Sequence, residues 1–411
     1  MNNTEFGKTY DMEVFFGNVI KTDPNLRRIP EFDPVGEFKG IHAVTFDSIE
    51  YHGKKTKVFA YMAHPDGADE NTPGIVLIHG GGGHAFLPWV KMWLDRGYSV
   101  IAPDTVGHMP IDINAGCTES NGDWGKGLYG IFAEEGYTAS PDNDGMSTYN
   151  LDVTRRWLTH ITSHCILSFS ALANSGFADK NKIGITGISW GGVAVSYYIG
   201  FDSRPAFAIP VYGSGYLSES LAWIAERFSN PETLRYFRAE DRFDKVKCPV
   251  MWLCWNDDFC FSINSNSKSY LDTVKNNDMT TVSIVDSMHH SHNYAWIRPE
   301  SEAFANSIVN NGKKLPRFTS MPTDRSTVCT YEYDGEVTAA MYYITSDLVY
   351  SMHEKYGVVN TFLDPVWQSI PMTAKNGTIT GNIPCDACGY YIEIKNESGV
   401  IVSTPYIKTE R

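Results

Sequence analysis

No apolar run in this chain is long enough to span a bilayer. The first residues, Met1-Asn-Asn-Thr-Glu-Phe6, lack the basic and apolar regions of a secretory signal. As written, the sequence is expected to be cytoplasmic, or periplasmic or secreted if a signal has been removed. Positive charge is scarce: 34 Lys and Arg stand against 48 Asp and Glu, a formal net charge of -14. An acidic surface argues against nucleic acid and anionic membranes as partners. Cysteine forms no small-scaffold pattern, with eight residues scattered at 117, 165, 248, 254, 260, 329, 385 and 388. Cys385-Asp-Ala-Cys388 is an isolated C-x-x-C. No second ligand pair lies near it for zinc, and no βαβ surroundings suggest thiol–disulfide chemistry. Free thiols or a local disulfide are expected, and neither a metal nor a cofactor.

What remains is ample for a large core. The 411 residues are 42% hydrophobic and 13% aromatic, which suggests two or three globular domains. One stretch organises the rest. Lys182 to Thr186 is short, apolar and β-branched, as a buried parallel strand should be. Gly187-Ile-Ser-Trp-Gly191 then matches G-x-S-x-G, and Gly192 to Tyr198 reads as the start of a helix. In a strand–turn–helix setting this motif lifts a serine hydroxyl above the sheet, so Ser189 is the candidate nucleophile. A serine hydroxyl is a poor nucleophile at neutral pH, which demands a base, an acid to orient it, and donors for an oxyanion.

Those partners occur in order along the chain. Gly74 to Ile78 is an apolar strand running into His79-Gly-Gly-Gly-Gly83-His84. Consecutive glycines can aim successive N–H groups at one point. Gly81 or Gly82, with Gly83 also open, and Trp190 after the nucleophile are the expected oxyanion donors. A phosphate-cradling loop is the rival, but the Lys and Ser/Thr of a P-loop and the G-x-G-x-x-G spacing are missing. His84 flanks this loop and is a candidate for substrate contact. Pro249 to Trp255 is a further buried strand, ending in Asn256-Asp-Asp-Phe259; Thr281 to Val285 is the last, ending in Asp286-Ser-Met-His-His-Ser-His292. In a parallel sheet, functional side chains follow the carboxyl ends of strands. Asp258 is preferred to Asp257 as the acid, and His290 to His292 as the base. His292 is otherwise a candidate for substrate contact. Residues 105 to about 147 show little periodicity and read as a lid or binding loop in which Trp124, Tyr129 and Phe132 could line a cleft. Strands alternating with helices imply a mostly parallel sheet covered on both faces.

Gly187-Ile-Ser-Trp-Gly-Gly192, Val211-Tyr-Gly-Ser-Gly-Tyr-Leu217, Trp252-Leu-Cys-Trp-Asn-Asp-Asp-Phe259, His79-Gly-Gly-Gly-Gly83 and Met288-His-His-Ser-His292 resemble the acetyl xylan esterase-like branch of the dienelactone hydrolase/prolyl oligopeptidase superfamily. The resemblance covers roughly residues 40 to 310. It implies an α/β-hydrolase fold with a Ser-Asp-His triad, with the acid at Asp258 and the histidines of the family's M-P-H-G-H run at His290 and His292. The chain departs from the pattern at His84, Ser214, Cys260, Ser262 and His289, which flank the expected cleft and bear on substrate more than on chemistry.

The remainder divides the chain further. Residues 1–40 read as an arm, 41–310 as the catalytic domain and 311–325 as a linker. Short β-rich runs over 326–411 suggest a β-sandwich, immunoglobulin-like in architecture; packing against the catalytic domain is the preferred role, with carbohydrate binding through its aromatics the alternative. Hydrolysis of short acyl esters, on a small molecule or a carbohydrate, is the expected activity. A prolyl oligopeptidase-type peptidase is the first rival, although the residues before His79 leave no room for an N-terminal propeller. An inactive binding protein of the same fold is the second.

Overall fold

The computed structural model describes residues 9–51, 54–110, 129–131, 152–348 and 366–410. Eight strands build the central sheet: β1 (His42–Tyr51), β2 (Lys54–Ala63), β3 (Gly74–Ile78), β4 (Ser99–Pro103), β5 (Ile183–Ile188), β6 (Ala208–Val211), β7 (Met251–Trp255) and β8 (Thr281–Val285). Their spatial order is 1-2-4-3-5-6-7-8. The pairings β1–β2 and β2–β4 are antiparallel, and the six strands from β4 across to β8 run parallel. Composition explains the division. Every residue of β3, β4, β5 and β6 is buried, as continuous apolar runs require when helices cover both faces.

Helices α1 (Met12–Ile20), α2 (Leu87–Asp95), α3 (Trp157–Ala173) and α4 (Trp190–Tyr198) precede or join the first six strands. The described part of the expected N-terminal arm holds α1, capped by Asp11, whose carboxylate accepts the N–H groups of Glu13 and Val14, and a two-residue strand, Arg27–Arg28, that pairs antiparallel with β1. Phe16 of α1 is fully buried against Tyr197 and Phe201. Helix α3 is buried all round from Trp157 to Leu172 despite its hydroxyls. Thr162, Ser163 and Ser170 donate to the carbonyls of Leu158, Thr159 and Ile166 one turn back, which removes the desolvation cost of burying them. After β6 come α5 (Ile224–Phe228) and α6 (Pro231–Phe237), then α7 (Ile263–Thr273) between β7 and β8, and α8 (His292–Trp296) and α9 (Pro299–Val309) after β8. Among the described residues no helix is long and apolar enough to cross a membrane.

Beyond α9 the chain turns to strands: β9 (Arg317–Ser320), β10 (Cys329–Glu332), β11 (Val337–Ile344), β12 (Gln368–Lys375), β13 (Thr378–Thr380), β14 (Gly389–Asn396), β15 (Ile401–Ser403) and β16 (Ile407–Lys408). All their mutual pairings are antiparallel. The stretch expected as a linker thus contains β9, which pairs with β10. This array is stitched to the central sheet, since β15 pairs with β8 at Val282 and Ser403. Ser283 Oγ donates to the Ile401 carbonyl at 2.8 Å, and the Ile284 N–H donates to Ser403 Oγ at 3.1 Å. A second apolar cluster, containing Met341, Tyr390, Ile392, Ile394 and Val402, forms its interior.

Candidate active site

Ser189 sits between β5 and α4 with φ 56° and ψ −118°, a backbone conformation that a side chain rarely adopts. The strain is held from both sides: the Ser189 N–H donates to the Val211 carbonyl at 2.8 Å, and the Ser189 carbonyl accepts the Val193 N–H at 2.9 Å. The flanking glycines are required by contact. A Cβ on Gly187 would lie 2.2 Å from the Gly191 carbonyl oxygen, and one on Gly191 would lie 2.2 Å from that of Ile78. The turn therefore closes only with glycine at both positions, and it leaves the serine half-buried at the carboxyl edge of the sheet.

Two further strand ends deliver the partners. His290 Nε2 lies 2.9 Å from Ser189 Oγ, and His290 Nδ1 lies 2.8 Å from Asp258 Oδ2. Asp258 is fully buried, and its other oxygen accepts the N–H groups of Cys260 at 2.7 Å and Phe261 at 2.9 Å. A carboxylate held in this way cannot rotate, so it assigns the imidazole proton to Nδ1 and leaves the Nε2 lone pair facing the serine hydroxyl. The His290 ring stacks on Tyr212, with centroids 4.5 Å apart, and lies 5.9 Å from Phe261. Tyr212 itself has φ 61°, and its hydroxyl donates to the His289 carbonyl at 2.7 Å, anchoring the histidine loop. Of the alternatives left open by the sequence, Asp258 and His290 are the pair brought to Ser189. Asp257 lies beside that pair, and His289 points outward and is exposed.

The glycine loop is organised by histidines that sequence reasoning had given other roles or none. His292 Nε2 accepts the Gly80 N–H at 2.8 Å, and His79 Nε2 accepts the Thr105 N–H at 2.9 Å. His79 Nδ1 then donates to the Gly80 carbonyl at 2.7 Å. The same carbonyl accepts the Gly83 N–H at 3.0 Å, which withdraws Gly83 from the oxyanion donors. Gly81 and Gly82 engage no acceptor with their N–H groups among the described residues, and Gly82 has φ 68°. A Cβ on Gly81 would lie 2.5 Å from Trp190 Cδ1, so this glycine packs directly on the residue after the nucleophile. The Trp190 N–H, first in α4, has no acceptor within its own helix. Gly80 approaches the serine as well, since a Cβ there would lie 3.0 Å from Ser189 Cβ, so the glycine loop and the start of α4 flank Ser189.

His292 and His84, expected as candidates for substrate contact, lie inside the fold. Both are buried, at 4% and 3% exposure. Burial, with His79, His290 and His84 nearby, holds His292 well below the usual histidine range and therefore neutral, as an acceptor must be. His84 Nδ1 donates to the Ala85 carbonyl at 3.2 Å, and its ring lies 4.1 Å from that of Phe86. Trp124 and most of the expected 105–147 loop lie outside the described residues. The wall that is described is aromatic: the Trp190 indole, half-buried, meets Trp157 at 5.6 Å, Phe228 at 6.2 Å and Phe261 at 5.9 Å. Asp258, Cys260 and His290 offer ligand atoms within 4.8 Å of one another. They suit proton transfer rather than metal binding: burial and the Asp258 charge push the Cys260 thiol well above its ordinary range, and its sulfur accepts the Trp223 indole N–H at 3.3 Å.

Comparison with known proteins gives a match to the prolyl oligopeptidase family over residues 131–303. The chain is 34% identical to a probable dipeptidyl-peptidase 5 of Aspergillus flavus over 97 residues, 22% of this chain and 13% of that protein. It is 24% identical to dipeptidyl-peptidase 5 of Trichophyton equinum over 233 residues, 53% of this chain and 27% of that protein. The chain thus matches well under two thirds of the length of these curated relatives. Among solved structures, an acetyl xylan esterase from Paenibacillus sp. R4 has a TM-score of 0.47 at 18% identity, over 68% of this chain and 89% of that one. The uncomplexed acylaminoacyl peptidase of Pyrococcus horikoshii has a TM-score of 0.45 at 17% identity, over 66% and 41%.

Proposed function

We propose that this chain, which belongs to the α/β-hydrolase superfamily, is a serine carboxylesterase that removes short acyl groups, acetyl foremost, from a small-molecule or carbohydrate ester. The observation that carries the proposal is the unbroken line from Ser189 Oγ through His290 to Asp258, at 2.9 and 2.8 Å. His290 Nε2 takes the hydroxyl proton as Ser189 Oγ attacks the ester carbonyl. The resulting oxyanion accepts from the Trp190 N–H and from Gly81 or Gly82. The imidazolium, stabilised by Asp258, returns its proton to the departing alkoxide, leaving an acyl-enzyme. Water attacks that ester by the same route: His290 takes its proton, the carboxylic acid leaves, and Ser189 regains its hydrogen. No step calls for a cofactor.

The preference for esters rests on the motifs shared with the acetyl xylan esterase-like branch, and the match to the prolyl oligopeptidase family favours a second reading, a serine peptidase. The same proposal takes 41–310 as the catalytic domain and 326–411 as an accessory β-sandwich. Its support is the antiparallel pairing of β10 to β16 around a separate apolar cluster. Hydrolysis of a p-nitrophenyl ester series, acetylated glycans and prolyl peptide amides by the wild type and Ser189→Ala tests the choice. Turnover of short esters that disappears in Ser189→Ala is the expected result. Cleavage of the peptides with inertness toward esters overturns it in favour of the peptidase.

A further inference from the structure

We infer that Asn256 is a positioning residue for the Ser189–His290–Asp258 line, and that the C-terminal strands take part in that line through Tyr391. The inference rests on the hydrolase reading above and adds residues that no triad motif contains. Strands β7 and β8 end side by side, with Trp255 paired to Val285. The next residue on each strand, Asn256 and Asp286, opens the loop that carries the acid and the loop that carries the base. There the backbone ladder stops and side chains continue it. Asn256 Nδ2 lies 2.8 Å from Asp286 Oδ1, and the Trp255 indole N–H donates to the Asp286 carbonyl at 2.9 Å. The distance between the two loops is thus set by donors on one and acceptors on the other.

The third member of the cluster comes from outside the catalytic sheet. Asn256 Nδ2 also lies 3.2 Å from the Tyr391 hydroxyl on β14. Asn256 and Tyr391 are both fully buried. The Tyr391 ring stacks on that of Tyr342 with centroids 5.1 Å apart and an interplanar angle of 4°. An aromatic stack on a strand of an array joined to β8 is a rigid mount, so the hydroxyl has little freedom to follow Asn256 if the loop shifts. Asp258 lies two residues beyond Asn256, and His290 four beyond Asp286. A displacement of either loop base moves Oδ2 of Asp258 relative to Nδ1 of His290, and hydrogen bonds of this kind weaken steeply with misalignment.

The test compares Asn256→Ala, Tyr391→Phe and the reciprocal exchange Asn256→Asp with Asp286→Asn, which restores a donor facing an acceptor across the loops. Three quantities are read: kcat and KM on p-nitrophenyl acetate, the pH profile of kcat, and the downfield proton resonance of His290 Nδ1–H, assigned by its loss in His290→Ala. Asn256→Ala is expected to lower kcat on the order of tenfold with KM changed less than about twofold, and to broaden the resonance. Tyr391→Phe should act in the same direction by about threefold, and the exchange should recover most of the loss. Unchanged kcat, pH profile and resonance in both single variants overturn the inference. So does a loss of kcat that follows a lowered melting temperature and is not recovered by the exchange. Full activity in Ser189→Ala would instead remove the hydrolase reading, while the resonance still decides whether Asn256 positions His290.

Discussion

His292 Nε2 accepts the Gly80 N–H at 2.8 Å, so a buried imidazole on the last catalytic loop fixes the backbone of the first. Two positions before it, His290 lies within hydrogen-bond reach of Ser189 and Asp258. One short segment thus supplies both the proposed base and the support for the oxyanion loop. Replacing His292 by Ala leaves a buried N–H unsatisfied, a cost of about 1–3 kcal/mol. The expected outcome is a fall in kcat on the order of tenfold or more, larger than the change in KM, because the misplaced donors act on the transition state. Steady-state kinetics on a short ester check it.

Strain at Ser189 offers a separation of activity from stability. Ser189→Ala and Ser189→Gly both remove the proposed nucleophile and should lower kcat by roughly a thousandfold or more. Only glycine relieves the φ of 56°. Ser189→Gly is expected to be more stable than Ser189→Ala by about 1 kcal/mol, measured by urea unfolding, the extra chain entropy of glycine being the smaller effect.

At Gly81 the added methyl of alanine would come within 2.5 Å of Trp190 Cδ1 and force the loop or the indole to move. Gly81→Ala should therefore reduce kcat/KM by about a hundredfold. Gly17→Ala is the control, since nothing lies within 4 Å of the new methyl. In the interior of α1 it should raise stability by about 0.5–1 kcal/mol with activity unchanged.

Glu393 on β14 predicts a pH dependence of stability. Burial raises its carboxyl to about 7, with Lys395 opposing and Asp286 and Glu300 adding to the shift. Its folded pKa exceeds its unfolded one, so below about pH 4.5 both states are protonated and the group has no effect. Between about pH 4.5 and 7 the unfolded chain has released this proton while the folded one keeps it, so stability falls with rising pH across that window and levels off above it. Glu393→Gln should match the wild type near pH 4 and exceed it near pH 8 by roughly 1–3 kcal/mol. Thermal melts at the two pH values check the sign.

Much of the site was legible because its chemistry is local. G-x-S-x-G between an apolar strand and a helix marks a strained turn whatever surrounds it. An acid and a histidine run that each follow a largely apolar strand are likewise read from the chain. The histidine run was only partly legible. His289, His290 and His292 are alike in composition, and which of them faces the serine depends on how Tyr212, just beyond β6, grips the loop carbonyl of His289. His292 and His84 resemble substrate ligands in sequence because nothing in their neighbours reveals that Gly80, Ala85 and Phe86 enclose them. His79 and Asn256 stand inside recognisable stretches, but nothing local to them assigned either a contact.

By itself, then, the sequence determined the run of buried strands, the strained turn at Ser189 and the Ser-Asp-His order along the chain, since periodicity and turn chemistry act over a few residues. Only the tertiary structure decided which histidine faces Ser189 and which holds the Gly80 N–H, and that β15 joins the C-terminal strands to β8. Those outcomes depend on contacts between residues a hundred or more positions apart, such as Ser189 with His290 and Asn256 with Tyr391. No local pattern encodes such contacts, because they exist only once the sheet has set its order and register.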